Sequence, residues 1–419
     1  FYFKGRNIGM SKKNHVIVVG GGASGIMSAI SAKRAGAEVT ILEKNPRIGK
    51  KILATGNGRC NFTNINADLT YYHGNDPEFA KSAFSEFTVE DTIRFFEKLG
   101  IAHKVEDLGK VFPMSDQASS FLDVFLYELE KLKIQTVCNA AVKRINPKNK
   151  EFVVETDQKT YIADRVIIST GGKAMPSSGS DGNGYDLAKR LGHSVTDVFP
   201  SLVQIMLEGS FFKRIDGVKI LGTVELMHKN TPIVKDRGDI LFANYGVSGP
   251  PVLQVSRKAG EFLNQGKDVY LKITVIDNIP KLELRKIIDR RFETSPEKTV
   301  EFSLVGLINK RLIPVMLLEA GIKDLKHPVG SLSEKDRDKI VEILTDWRIK
   351  VRGTKGWTSA QATAGGINTN EINPFTMESK KVKGLYFTGE IIDIDGQCGG
   401  FNLQWAWSSG FVAGKNAAL

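Results

Sequence analysis

The stretch Val16-Ile-Val-Val-Gly-Gly-Gly-Ala-Ser-Gly25, followed by Glu38-Val-Thr-Ile-Leu-Glu43, decides how this chain is read. It describes an apolar strand, a glycine turn, a helix and a second strand ending in an acid, the pattern of a βαβ unit that grips a dinucleotide. Gly20 allows the tight turn, Gly22 lets the backbone approach a pyrophosphate, and Gly25 permits close packing of helix on strand, so that free N–H groups at the helix start face the anion. Glu43 is placed to accept bonds from the adenosine ribose hydroxyls. A glycine triplet alone also occurs in ordinary turns. The apolar strand before it and the acid about 20 residues on select the dinucleotide reading. An acid at that strand end suits NAD or FAD and repels the 2′-phosphate of NADP.

Outward from this unit, 419 residues with 41% hydrophobic content can bury a large core and fill two or three domains. No apolar run approaches the ~18 residues that a spanning helix needs, which excludes that class of membrane protein and makes the cytoplasm the expected location. Met10 reads as the natural start, with Phe1 to Gly9 as an upstream extension lacking a secretory apolar stretch. Cys60, Cys138 and Cys398 form no CxxC pair, so neither a disulfide framework nor a thiolate metal site is expected, and a reducing compartment fits. The net charge of +11 raises a nucleic-acid reading, but Lys and Arg alternate with Asp and Glu, as on solvated basic faces.

The periodicity divides the chain. Residues 10–196 read as the first part of the dinucleotide domain, with helical apolar spacing around Phe79 to Leu99 and Ser119 to Leu132, a hairpin from Phe152 to Asp164, and a buried strand Val166-Ile-Ile-Ser-Thr-Gly-Gly172. Within it, Arg47 to Asn64 is a long glycine-rich polar passage with no core pattern of its own, and such passages in compact domains are usually functional. Residues 197–278 turn to short β-like runs, an inserted β-domain. Residues 279–335 are a helical insertion, with one helix beginning at Leu282; the helical periodicity itself runs from Pro280 to about Ile349 and includes a later helix from Lys339 to Trp347. Residues 336–356 return to the β-domain, and 357–419 complete the first domain with the strand Gly384 to Glu390 and a helix from Asn402 to Ala413.

Two further glycine-stopped strands, ending Thr170-Gly171-Gly172 and Thr388-Gly389-Glu390, separate a flavin domain from a plain NAD domain, because FAD is longer and its ribitol needs a second contact region. These motifs, with Gly49-Lys-Lys51, Gly56-Asn-Gly-Arg-Cys-Asn-Phe-Thr-Asn64, Leu241-Phe-Ala-Asn-Tyr-Gly-Val-Ser-Gly-Pro250 and Gly384 to Asn402, resemble those of the three-domain bacterial flavoproteins of the two-dinucleotide-binding superfamily, BaiN-like and aminoacetone-oxidase-like enzymes. The resemblance runs from Val16 to the end. It implies an α/β Rossmann-like, glutathione-reductase-like FAD domain interrupted by a β-barrel-like domain that itself carries a small helical subdomain.

Carried onto this chain, the resemblance places the pyrophosphate on Gly20, Gly22, Ala23, Ser24 and Gly25, the ribose on Glu43 with Lys44 beside it, and the adenine against the backbone of Val142. It places the flavin end near Lys51, Gly56, Arg59, Cys60 and Asn61. Glu390 stands where the wider superfamily uses Asp for ribitol or phosphate, its other reading being a turn-capping surface carboxylate. Gly399-Gly400-Phe401-Asn402 leads into the last helix, whose positive end would face the flavin. Arg59 reads either as an anion holder or as a loop-stabilising ion pair, and Cys60 either as a redox partner, with Cys398, or as an inert buried thiol. Thr363-Ala-Gly-Gly-Ile367 is similar to a glycine pair that approaches the flavin. Gly179-Ser-Asp-Gly-Asn-Gly184 follows no buried strand directly and so is not a separate NAD site; the resemblance implies that this loop lies by the FAD. His73 and His193 read as turn or surface residues. The catalytic acid or base has no candidate.

The function expected is an FAD-dependent oxidoreductase moving a hydride between flavin and a small organic substrate, with NAD(P)H or O2 as the electron partner. The alternative is a flavoprotein that binds or modifies RNA, motivated by pI 9.3 and by Lys281, Arg285, Lys286, Arg290, Arg291, Lys310 and Arg311 in the helical insertion.

Overall fold

The computed structural model describes residues 13–419, so the expected start at Met10 and the extension before it lie outside the described residues. Two compact units emerge: the chain up to Val198 together with Ala362–Leu419, and Phe199–Gln361.

In the first unit, β1 (His15–Val19), β2 (Glu38–Leu42), β3 (Gln135–Val137), β7 (Arg165–Ile168) and β8 (Leu385–Phe387) form one parallel sheet in the order β8-β7-β1-β2-β3. Val16 to Val19 are buried on both faces, which is why this strand is a continuous apolar run rather than an alternating one. From β1 the chain moves through α1 (Ala23–Arg34) to β2 on one side and later returns as β7 on the other, so β1 sits at the switch point of a doubly wound sheet. The small residues of α1 let α5 (Phe401–Ala417) pack backbone against backbone: a Cβ on Gly410 or Gly414 would lie 2.6 or 2.2 Å from the carbonyl of Ser24 or Ser28. A three-stranded antiparallel sheet, β4 (Val142–Lys148), β5 (Glu151–Thr156) and β6 (Thr160–Ala163), adjoins in the order β6-β5-β4.

The helical spacing of Phe79 to Leu99 is divided between two helices. Lys81–Glu86 ends as a short helix, and α2 (Val89–Lys98) restarts behind Thr88, whose extended backbone and reciprocal bonds with Asp91 make a capping box. The passage Arg47 to Asn64 is also more than a polar loop. Phe62 is wholly buried among Phe96, Phe121 of α3 (Ala118–Lys131) and Trp407, and Trp407 Nε1 donates to the Phe62 carbonyl at 2.7 Å. The aromatic anchor holds the end of the stretch, Cys60 to Asn64, in the interior, while Gly56 to Gly58 stay exposed.

The second unit is a closed six-stranded barrel of Ile205–Leu207, Gly246–Ser248, Thr231–Ala243, Lys219–His228, Tyr270–Thr274 and Trp347–Thr354, in that order around the wall. Helices Lys281–Thr294, Leu312–Glu319 and Glu334–Thr345 form the helical insertion. The expected helix through Trp347 runs too far. Asp346 leaves the helical region, and Trp347, Ile349 and Val351 alternate inward at a period of two, as a barrel strand requires. No helix among the described residues is long and apolar enough to cross a membrane.

Candidate functional site

The first glycine turn is tied into the sheet by Gly20 N–H, which donates to the Leu42 carbonyl at 2.9 Å. Gly20 has φ +103°, and a Cβ there would lie 2.6 Å from the Ser169 carbonyl oxygen, while one on Gly25 would lie 2.0 Å from that of Gly20. Gly22 differs: nothing stands within 4 Å of its absent Cβ. It is also the N-cap of α1 and carries no side-chain cap, and the first intrahelical bond runs from Ile26 N–H to Gly22. The N–H groups of Ala23, Ser24 and Gly25, in the first turn, have no acceptor one turn earlier in the helix, the donor set that an anion requires.

Glu43 is buried, with Oε2 accepting from Gly21 N–H at 2.8 Å and Oε1 from the Asn45 backbone and side-chain amides at 2.8 and 2.9 Å. These bonds aim the carboxylate along the turn and leave acceptor capacity on Oε2. Lys44 turns aside to Asp181 at 2.7 Å. Val142 opens β4 opposite Thr156. Lys51 Nζ lies 2.7 Å from Glu390 Oε2, and Glu390 Oε1 accepts from Thr363 N–H at 2.7 Å, so the carboxylate is a half-buried partner of two segments rather than a surface cap.

Four residues from Gly56 to Cys60 occupy the left-handed region: Gly56, Asn57, Gly58 and Cys60. Arg59 between them donates to Asp116 and Glu106, and its guanidinium lies 4.0 Å over the Phe112 ring. The ion pairs raise its pKa, and they take up its donors, so Arg59 stabilises the loop. Cys60 is fully buried, and burial pushes its thiol up to about 12, with Thr55 only partly offsetting this, so it is no thiolate near neutrality. All three cysteines are free.

At the C-terminal end, Gly389 (φ +73°) donates to Ser409 Oγ and accepts from Trp405 Nε1, both at 3.0 Å. Gly400 (φ +100°) is the N-cap of α5, and a Cβ there would lie 2.4 Å from the Thr63 carbonyl; Gly399 is also left-handed. Phe401 stacks on Tyr71 at 4.5 Å, and the Asn402 amide bonds both backbone groups of Gly396. Gly366 packs backbone to backbone on Ile391–Asp393, where a Cβ would come within 2.6 Å. His193 corrects the surface reading: it is buried, with Nε2 2.8 Å from Ser379 Oγ, Nδ1 3.1 Å from Glu371 and its ring edge on Phe387.

A family model described as the HI0933-like protein Rossmann domain matches residues 14–416. The chain belongs to the HI0933-like family. It is 39% identical over 407 residues to the 3-dehydro-bile acid delta(4,6)-reductase of Clostridium scindens, covering 97% of this chain and 99% of that one. It is 31% identical over 405 residues to the ribosomal RNA dihydrouridine synthase of Escherichia coli, covering 96% and 97%. Among solved structures, the 3-ketosteroid-delta4-(5alpha)-dehydrogenase of Rhodococcus jostii RHA1 aligns over 99% of this chain and 98% of that one, at 16% identity and a TM-score of 0.48. This HI0933-like protein is an FAD-dependent oxidoreductase.

The HI0933-like site also contains unpaired polar groups, two of them, Ser180 and Tyr185, on residues that the sequence reading did not assign to the cofactor. Asn61 Oδ1, Thr170 Oγ1, Ser180 Oγ and Tyr185 OH are buried with no hydrogen-bond partner. A Cβ on Gly171 would lie 2.7 Å from Ser180 Oγ, and one on Gly184 1.8 Å from Thr170 Oγ1, so these hydroxyls gather where the Gly179–Gly184 loop crosses the end of β7. Gly172 is closed in by Thr363 Oγ1, 2.3 Å from its absent Cβ. Burial, with Glu390, Asp393 and Asp395 nearby, raises the Tyr185 pKa and keeps its phenol protonated. Each buried polar atom left unpaired costs about 1–3 kcal/mol. A hydroxyl-rich dinucleotide such as FAD fits that need. The sequence signal was the glycine loop itself, read not as a separate NAD site but as a loop beside the FAD.

Proposed function

We propose that this protein uses FAD to saturate a carbon–carbon double bond conjugated to a carbonyl group in a small organic substrate. The open, uncapped start of α1 at Gly22, flanked by unpaired buried hydroxyls, is the observation that carries the cofactor part. The names of two relatives support the substrate part: removal of delta(4,6) unsaturation from a 3-dehydro-bile acid and formation of dihydrouridine are both reductions of an alkene conjugated to a carbonyl.

In this reading Ala23, Ser24 and Gly25 N–H groups hold the pyrophosphate, and Glu43 Oε2 takes a ribose hydroxyl. The Lys51–Glu390 pair, Thr170 and Gly171 line the ribitol path, and Asn61, Gly56, Gly399 and Gly400 flank the flavin end. FAD, once bound and reduced, supplies the hydride that the alkene accepts together with a proton. Arg59 fixes the loop bearing Asn61, and Cys60 takes no part in electron transfer. NAD(P)H is the donor in this scheme, the substrate is a small molecule, and the protein works in the cytoplasm.

The RNA alternative loses part of its motive. Lys281 pairs with Glu342, Arg285 with Asp289, Glu334 and Asp338, and Arg291 and Arg311 donate to backbone carbonyls, so these four are engaged within the insertion and its unit.

The test is anaerobic mixing of the purified yellow protein with NADH or NADPH and a panel of cyclic enones and dienones. The expected result is bleaching of the flavin band, its return on adding enone, and one equivalent of saturated product. Return of the band only with O2, and no saturated product from any enone, would replace the reductase by an oxidase.

A further inference from the structure

Lys44, the residue expected beside the ribose, pairs with Asp181. The segment Met175–Gly182 leaves the β7 side of the sheet after Thr170-Gly171-Gly172 and is gripped by three donors from the chain that follows β2. Lys44 Nζ lies 2.7 Å from Asp181 Oδ1, Asn45 Nδ2 donates to the Ser178 carbonyl at 2.9 Å, and Lys50 Nζ donates to the Ser177 carbonyl at 2.5 Å. Because β7 and β2 flank β1 on opposite sides, this segment passes over the C-terminal end of β1, where the turn Gly20–Gly25 lies. Its underside carries Ser180, whose buried hydroxyl lacks a partner, and it leads into Tyr185, whose phenol also lacks one.

Three left-handed positions shape the segment: Met175 at φ +57°, Gly179 at +102° and Gly182 at +87°. For Gly179 and Gly182 this backbone costs little, but for Met175 it is a strained state that the surroundings must impose. Side-chain bonds from the chain after β2 hold this segment in that conformation.

We infer that the Lys44–Asp181 pair is a latch that holds the segment Met175–Gly182 in place and so sets how long FAD stays bound. The inference rests on the FAD reading above. It assigns Lys44 a positioning role: it acts on the cofactor through Asp181 rather than by contact. The pair is partly exposed, with side-chain exposures of 22% and 47%, so its strength is modest and sensitive to salt.

The experiment measures FAD release from the purified holoprotein after dilution, followed by the rise in free-flavin fluorescence, for the wild type, Lys44→Ala, Asp181→Asn and the exchange Lys44→Asp/Asp181→Lys. Release is expected to be about two- to fivefold faster in each single variant, as a half-exposed ion pair warrants, and slower again in the exchange. In the wild type, 0.5 M KCl is expected to speed release by a similar factor relative to 0.05 M, and in Asp181→Asn to change it little. Release rates equal in all four proteins, or single variants that the exchange does not repair, would overturn the latch. The salt series on the wild type alone decides the matter if a variant does not fold, a salt-insensitive rate counting against it. A wild-type protein that binds no FAD would instead sink the cofactor reading, so the two failures are distinct.

Discussion

Gly22 and Gly25 are three residues apart in one turn, yet they are glycine for different reasons, and this difference can be measured. Gly25 has no room for a Cβ, since one would meet the Gly20 carbonyl at 2.0 Å. Gly22 has an ordinary extended backbone, with φ −84°, and empty space around it. Gly22→Leu is therefore expected to keep the melting temperature of the apoprotein within about 2 °C, since a surface change away from packed groups stays within ±0.5 kcal/mol, while abolishing FAD binding. Gly25→Ala is expected to lose about 1–3 kcal/mol of stability by overpacking. Urea unfolding of the apoproteins, with flavin content by absorbance, separates the two. Cys60 makes a second residue-scale case. With its thiol pushed up to about 12, Cys60→Ser is expected to retain turnover within about twofold, and a loss of a hundredfold would restore the redox role.

At the scale of elements, the segment Thr369–Ser379 is pinned against β8 through His193 and Glu371. Burial holds the His193 pKa below its ordinary value of 6.5, with Glu371 only partly opposing this. Burial also resists ionisation of Glu371, but bonds from Lys381 and Ser194 outweigh it and bring the carboxyl to about 2 from 4.5. Both groups are depressed on folding, so the sign is the same for each: their contribution is present at neutral pH and is lost as pH falls. The His193 part fades below 6.5, and the Glu371 part fades from 4.5 towards 2. Glu371→Gln is expected to flatten the loss of stability between pH 5 and pH 3, read from urea midpoints at each pH. An unchanged slope would show that other carboxylates carry the acid transition. The aromatic anchor is a second element-scale device, and Phe96→Ala is expected to cost about 3–5 kcal/mol, because Phe62, Phe121, Phe125 and Trp407 surround that ring.

For the whole molecule, the decisive quantity is how far folding depends on the cofactor. Among the described residues, the first unit leaves six buried side-chain polar atoms without hydrogen-bond partners, those of Asn61, Thr170, Ser180 and Tyr185 among them, and α1 starts without a side-chain cap. Binding to the native state alone adds RT ln(1 + [L]/Kd), so FAD at a hundred times its Kd stabilises by about 2.7 kcal/mol. Removing FAD is expected to lower the melting temperature by several degrees and FAD, but not FMN, to restore it, measured by differential scanning calorimetry. The barrel unit, Phe199–Gln361, has its own core around Phe242 and Trp347, so a separate transition that ignores FAD is expected from it.

Much of this was legible in the chain because it depends on neighbours in sequence. A fully apolar strand, glycines at fixed offsets and an acid at the next strand end are local facts, and Glu43 does close back onto Gly21. The change of period towards short strands and then helices is equally local; it misplaced the helix Glu334–Thr345, which runs past the expected return at residue 336, and it carried that helix through Trp347, where a strand already begins. What the chain alone could not reveal were pairings between segments far apart in sequence: Arg59 with Glu106 and Asp116, Lys44 with Asp181, Lys51 with Glu390, His193 with Glu371, and the unpaired Ser180 and Tyr185 beneath the loop. Hydrogen-bond satisfaction and burial are properties of the space around a group, and that space is enclosed only when distant strands meet. Local patterning thus settled which elements form and what kind of cofactor they suit, while the tertiary structure alone decided which charges are spent on each other and which polar groups are left to bind.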